Sequence, residues 1–173
     1  PKVKKVSVDE KKRICITTEP ITVKKDDWDK SRDAGQFQIV VDFYQTVIRD
    51  GVRVLNITKH YQKYDHPCID NTRCCWGNIQ GDIEKDFRER DLLELTIDTL
   101  LFLSSPNDEL GFLTYSKNPP GSDKKRGWEQ FLEFSKPLPK HYSFANYEID
   151  EAQNPPAIAI NATAEVRIST ASI

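Results

Sequence analysis

The stretch Gly35-Gln-Phe-Gln-Ile-Val-Val-Asp-Phe43 decides how the rest of the chain is read. Phe37, Ile39, Val41 and Phe43 alternate with Gln36, Gln38 and Asp42, which is the period of a strand with one face buried. The run continues through Tyr44 to Ile48 and reaches Arg49-Asp50-Gly51-Val52. Asp-Gly between β-branched runs signals a hairpin, because a type I′ turn needs positive φ at both central residues. The return strand is predicted over Val52 to Tyr61.

The same reading extends outward. Val3, Val6 and Val8 precede the polar turn Asp9-Glu10-Lys11, and Arg13 to Thr17 and Ile21 to Val23 flank Pro20, an edge strand or a kink. Leu93, Leu95, Ile97, Leu101 and Leu103 share a period-2 face, and Thr96, Ile97 and Thr99 favour strand over helix. Leu110 to Tyr115 and Trp128 to Phe134 read as a strand pair, with Tyr142 to Ile149 after them. Near the end, Ile158, Ile160, Ala162, Ala164, Val166 and Ile168 fall on one face and Asn161, Thr163, Glu165 and Arg167 on the other. Cys68 to Arg90 is irregular, with Ile79, Ile83 and Phe87 spaced for one short helix near Asp82 to Arg90. About nine strands with turn signals between them predict an all-β fold, an antiparallel immunoglobulin-like β-sandwich with at most one short helix. It forms a single domain over residues 1–173, with an irregular Cys-containing insertion around 65–90.

Composition agrees with one domain. The chain has 173 residues, 38% of them hydrophobic and 30% charged, enough to bury a core without disulfides. Twenty-five basic and 27 acidic residues give a net charge of −2, so no global field points to nucleic acid. No segment approaches the ~18 apolar residues of a transmembrane span. The chain opens at Pro1 and contains no Met, so a missing leader sequence carries no weight.

Three of the four cysteines lie in Cys68-Ile-Asp-Asn-Thr-Arg-Cys74-Cys75, among residues typical of loops. Their even number suggests disulfides in an oxidising compartment: Cys68 with Cys74 or Cys75, and Cys15 with the remaining one. Sequence does not choose among the connectivities, and free thiols are the alternative. A metal site with His66 is disfavoured, because adjacent cysteines rarely ligate one ion and no second half-site is present. Two sequons, Asn56-Ile-Thr58 and Asn161-Ala-Thr163, join the cysteines in pointing to a secreted, luminal or extracellular glycoprotein.

No catalytic signature emerges. His60, His66 and His141 form no His-Glu-x-x-His motif, and there is no nucleophile elbow, phosphate loop or dinucleotide fingerprint. A non-enzymatic protein without cofactor or metal is expected. Lys124-Lys125-Arg126 reads as a solvated loop rather than a phosphate site. Trp128, in pattern with Phe131 and Phe134, belongs to a core. Trp28 and Trp76 sit in polar stretches, where a large apolar ring needs a reason, and are candidates for binding or docking.

The order of features resembles the secreted lipid-recognition (ML) domain family, which includes the ganglioside-activator proteins. The residues concerned are Ile16-Thr-Thr-Glu-Pro-Ile-Thr-Val23, the Gly35 strand, Asp50-Gly51, Val52 to His60, Pro67-Cys68, Pro137-Leu-Pro-Lys-His-Tyr142 and Ile158 to Ile168. Two departures stand out: no Cys follows Cys75, and residues 76–135 exceed the family's usual connection. The resemblance implies two sheets splayed around an apolar cup walled by Phe37, Ile39, Val41, Phe43, Ile158, Ile160 and Val166. A lipid or other apolar small molecule would gain about 0.8 kcal/mol per methylene buried there. The competing expectation is an ectodomain adhesion or recognition module, lectin-like or receptor-like. It would meet a glycan or protein through Trp28, Trp76 and the basic loop.

Overall fold

The computed structural model describes residues 1–61, 63–106 and 127–153. The first half of the chain forms strands β1 (Val3–Val8), β2 (Ile14–Thr18), β3 (Ile21–Val23), β4 (Arg32–Gly35) and β5 (Phe37–Val41). A short helix α1 (Ile48–Gly51) leads into β6 (Val52–Asn56). Strands β1, β2, β5 and β6 make a four-stranded antiparallel sheet in the order β1-β2-β5-β6. The alternation read at Phe37 is the register of this sheet, with Ile39 facing Ile16 on one side and Val54 on the other. Strands β3 and β4 pair separately.

The segment after β6 holds β7 (Lys59–His60), β8 (Tyr64–His66), β9 (Ile69–Asp70) and β10 (Arg73–Cys74), followed by a 3₁₀ turn at Gly77–Ile79. Four helices and one strand complete the described chain: α2 (Gln80–Glu89), α3 (Leu92–Ser104), α4 (Gly127–Phe134), β11 (Lys136–Pro137) and α5 (Phe144–Gln153). Five helices and four small antiparallel sheets among the described residues make this a mixed α/β protein. The expected all-β immunoglobulin-like sandwich is therefore incorrect.

The physical cause lies in three segments read as strands. In α3, Leu95, Thr99, Leu100 and Leu103 are buried, while Leu93, Ile97 and Leu101 face outward. The buried face thus follows a helical period. Asp91 caps the helix by accepting from the Glu94 N–H at 3.1 Å. The Thr96 and Thr99 hydroxyls donate to the Leu92 and Leu95 carbonyls at 2.6 and 2.7 Å, so both side chains are satisfied within the helix. In α4, Trp128 and Phe131 are buried one turn apart, and the Trp128 indole donates to the Ser105 carbonyl at 3.1 Å. In α5, Phe144 is buried on the sheet, and its N–H donates to Gln38 Oε1 at 2.7 Å. The short helix expected near Asp82–Arg90 is present as α2. Ile158, Ile160, Asn161, Val166, Leu110 to Tyr115 and Lys124 to Arg126 lie outside the described residues.

The hairpin between β5 and β6 forms, with Val41 opposite Val52, but residues 42–51 connect it through α1 instead of a two-residue turn. Gly51 supplies space: a Cβ there would lie 2.2 Å from Phe87 Cζ. Type I′ geometry appears at Asn71 (φ 49) and Thr72 (φ 64), between the paired Asp70 and Arg73. Thr72 is β-branched, a poor fit to positive φ, and hydrogen bonds hold it there. Its hydroxyl accepts from Arg53 Nε, and its carbonyl accepts from the Val54 N–H at 2.9 Å.

Both faces of the four-stranded sheet are covered. Ile16, Phe37, Ile39, Val41, Val52 and Val54 join the main core with buried residues of α2, α3 and α4. Cys15, Val40 and Leu55 face the other way and pack with Phe144 of α5. Single changes such as Ile→Val in a core packed this closely typically cost about 0.5–1.5 kcal/mol.

Candidate functional site

The chain after β8 builds a cleft of about 330 Å³ between the β9–β10 hairpin and helices α2 and α3. Local chemistry sets its walls. The turn at Asn71-Thr72 folds the chain back so that the Cys75 N–H donates to the Cys68 carbonyl at 2.8 Å. Both cysteines line the cleft. Trp76 follows directly, and the 3₁₀ turn carries the chain past Ile79 into α2. The opposite wall is α3, through Asp98, Leu101 and Phe102. Trp76 and Phe102 meet with ring centroids 4.9 Å apart and planes tilted by 51°. Asp82, in the first turn of α2, joins Asp98 as the second carboxylate of the cleft.

His66 lines the same cleft and is 1% exposed. Its ring stacks on Phe102 at 5.4 Å and meets Trp128 edge-on at 4.6 Å. Nδ1 accepts from the Cys68 N–H at 3.0 Å, which places the proton of the neutral ring on Nε2. Nε2 is buried and makes no hydrogen bond of normal geometry among the described residues. Burial pushes the His66 pKa down to about 3, only partly opposed by the Leu103 carbonyl. The ring is therefore uncharged at neutral pH and a weak base.

No disulfide links the four cysteines. Cys15 packs on the far face of the sheet beside Phe144, whereas Cys68, Cys74 and Cys75 cluster at the hairpin. Burial raises the Cys74 thiol well above its ordinary value, and the neighbouring Cys68, Asp65 and Cys75 raise it further. Cys15 is also raised, first by burial and then by Asp9. A raised thiol is a poor nucleophile at neutral pH.

Phe37, Ile39 and Val41 are each no more than 1% exposed and serve as packed core among the described residues. Phe43, half-buried beyond β5, stacks on Phe87 at 5.4 Å. Trp28 is 5% exposed, with the Arg32 guanidinium over its ring at 4.7 Å and the Lys25 ammonium at 5.5 Å. It offers no open platform. Trp76 is also mostly covered, but it belongs to the cleft wall. Asn56 is fully buried, and its Nδ2 donates to the carbonyls of Ala34 and Asp65 at 2.9 and 3.2 Å. A glycan would take one of the two N–H donors of that fully buried nitrogen and break one of these bonds; as it stands, Asn56 ties β4, β6 and β8 together. Sequence reading weighed His66 only as a metal ligand and did not single out Phe102 or Asp82, because only the packing of α3 against the hairpin brings these residues together with Asp98. A capping signal, Asp91-Leu-Leu-Glu94, was available to place α3.

Neither a family model, a curated protein nor a solved structure matches this chain, so no match bears on the lipid-recognition resemblance. Among the described residues, no group of His, Cys, Asp and Glu is arranged to hold a metal ion. No described helix is long and apolar enough to cross a membrane.

Proposed function

We propose that this chain is a non-catalytic binding domain for a small apolar molecule, held in the cleft between the β9–β10 hairpin and helices α2 and α3. The observation that carries this reading is the tilted Trp76–Phe102 pair walling a space of about 330 Å³. Small-molecule pockets are apolar, aromatic-lined and start near ~300 Å³, with a few polar groups to fix orientation. Here His66, Asp82 and Asp98 are those groups. A non-catalytic role agrees with a histidine held neutral by burial. The cleft replaces the inter-sheet cup as the place for an apolar ligand, since the cup's described walls are filled core.

The test uses 1-naphthalenemethanol, a neutral probe of about twelve heavy atoms. Calorimetry with the full chain should give a Kd of about 0.1 mM, roughly −5.5 kcal/mol. Leu101 lines the cleft and is 58% exposed, so Leu101→Trp can fill the space without disturbing the core. That variant should bind at least tenfold more weakly with an unchanged unfolding midpoint. No binding to the native chain, or equal binding to the variant, contradicts the reading.

A further inference from the structure

The cleft's charge is unbalanced in one direction. Asp82 and Asp98 project from different helices onto the same space. Neither forms a side-chain hydrogen bond or ion pair among the described residues, whereas Asp9, Asp33, Asp70 and Glu148 each have a Lys or Arg partner. No Lys or Arg is among the described residues that line the cleft. The one ring that could have supplied positive charge, His66, is neutral. The crowding of acids continues behind the wall: Asp86 of α2 is 7% exposed, and its carboxyl is raised first by burial and next by the charge of Asp98. Lys85 opposes that shift, and Asp91 and Glu94 add to it.

Two aromatic rings complete the pattern. Trp76 and Phe102, tilted by 51°, both line the space the carboxylates overlook. Aromatic rings attract a cation that comes within about 6 Å of the centroid over a face, and more strongly once water is excluded. The apolar wall and the acidic rim therefore favour the same molecule, with an apolar body and a cationic head. A fatty acid would bring its own carboxylate against Asp82 and Asp98 and is disfavoured.

We infer that the ligand of this cleft is a small organic ammonium, its apolar body on Trp76 and Phe102 and its charge beside Asp82 and Asp98. The inference rests on the cleft being the binding site, and one titration series separates the two claims. Three probes of one shape are compared by calorimetry on the full chain at low salt: 1-naphthylmethylammonium, 1-naphthalenemethanol and 1-naphthoate. The ammonium should bind at least tenfold more tightly than the alcohol, and the carboxylate more weakly than either. The double variant Asp82→Asn, Asp98→Asn should remove the advantage of the ammonium over the alcohol. Equal affinities for all three probes in the native chain, or an ammonium advantage that survives in the double variant, overturns the charge assignment and leaves the cleft standing. Failure of all three probes to bind overturns both.

Discussion

At the scale of single residues, His66 shows most clearly how packing sets chemistry. An imidazole ordinarily takes up a proton near pH 6.5, but this one, 1% exposed between Phe102 and Trp128, holds out to about pH 3. Its folded pKa is depressed, so between pH 6.5 and 3 the unfolded chain binds the proton and the folded chain does not. Its contribution to stability is therefore complete above pH 6.5 and is lost as pH falls towards 3, amounting to about 2 kcal/mol at pH 5. The adjoining Asp65 titrates in the opposite sense, because burial raises its carboxyl well above the ordinary value despite bonds from the Asn56 and Thr72 N–H groups. The difference between the native chain and His66→Gln isolates the histidine. Urea unfolding at pH 7 and pH 5 should show the variant losing about 2 kcal/mol less than the native chain. Parallel losses would show that His66 is not held neutral by burial.

At the scale of elements, α5 shows why the strand reading failed. Phe144, Tyr147, Glu148 and Glu151 all turn towards the sheet, a spacing of three, four and seven that only a helix brings to one side. Phe144 is buried between the guanidinium groups of Arg13 and Arg53, at 5.2 and 5.4 Å from its ring. Glu148 takes two bonds from Arg13, at 2.7 and 3.0 Å, and these hold its carboxyl down at about 2. The partners Arg13 and Arg53 lie more than ninety residues away in sequence, so nothing local marked this segment as docked. Phe144→Ala should cost about 3–5 kcal/mol by lost transfer and cavity formation. Ile149→Ala, at a position 55% exposed, should cost under about 0.5 kcal/mol. Equal costs in urea unfolding would contradict the docked helix. The strands β5 and β6, by contrast, were legible, because their alternation and their burial are set by one sheet and its own register. Helix α3 was not, because it is apolar on nearly every side and its threonines bond back to their own helix.

At the scale of the whole molecule, the sequence revealed the β5–β6 pairing and an aromatic residue in need of a reason at Trp76. It could not reveal the cleft, whose walls come from a hairpin, a 3₁₀ turn and two helices that meet only on folding. Of the cup walls that the lipid-recognition resemblance implied, Phe37, Ile39 and Val41 are packed core. The central claim is that this cleft binds a small apolar cation, and amide and indole chemical shifts of the ¹⁵N-labelled chain test it most directly. On titration with 1-naphthylmethylammonium, the Trp76 indole N–H and the amides of Gly77, Asn78 and Phe102 should move most. The amides of Val40, Leu55 and Phe144, across the sheet, should stay in place. Shifts confined to that far face, or none at all, would contradict the account.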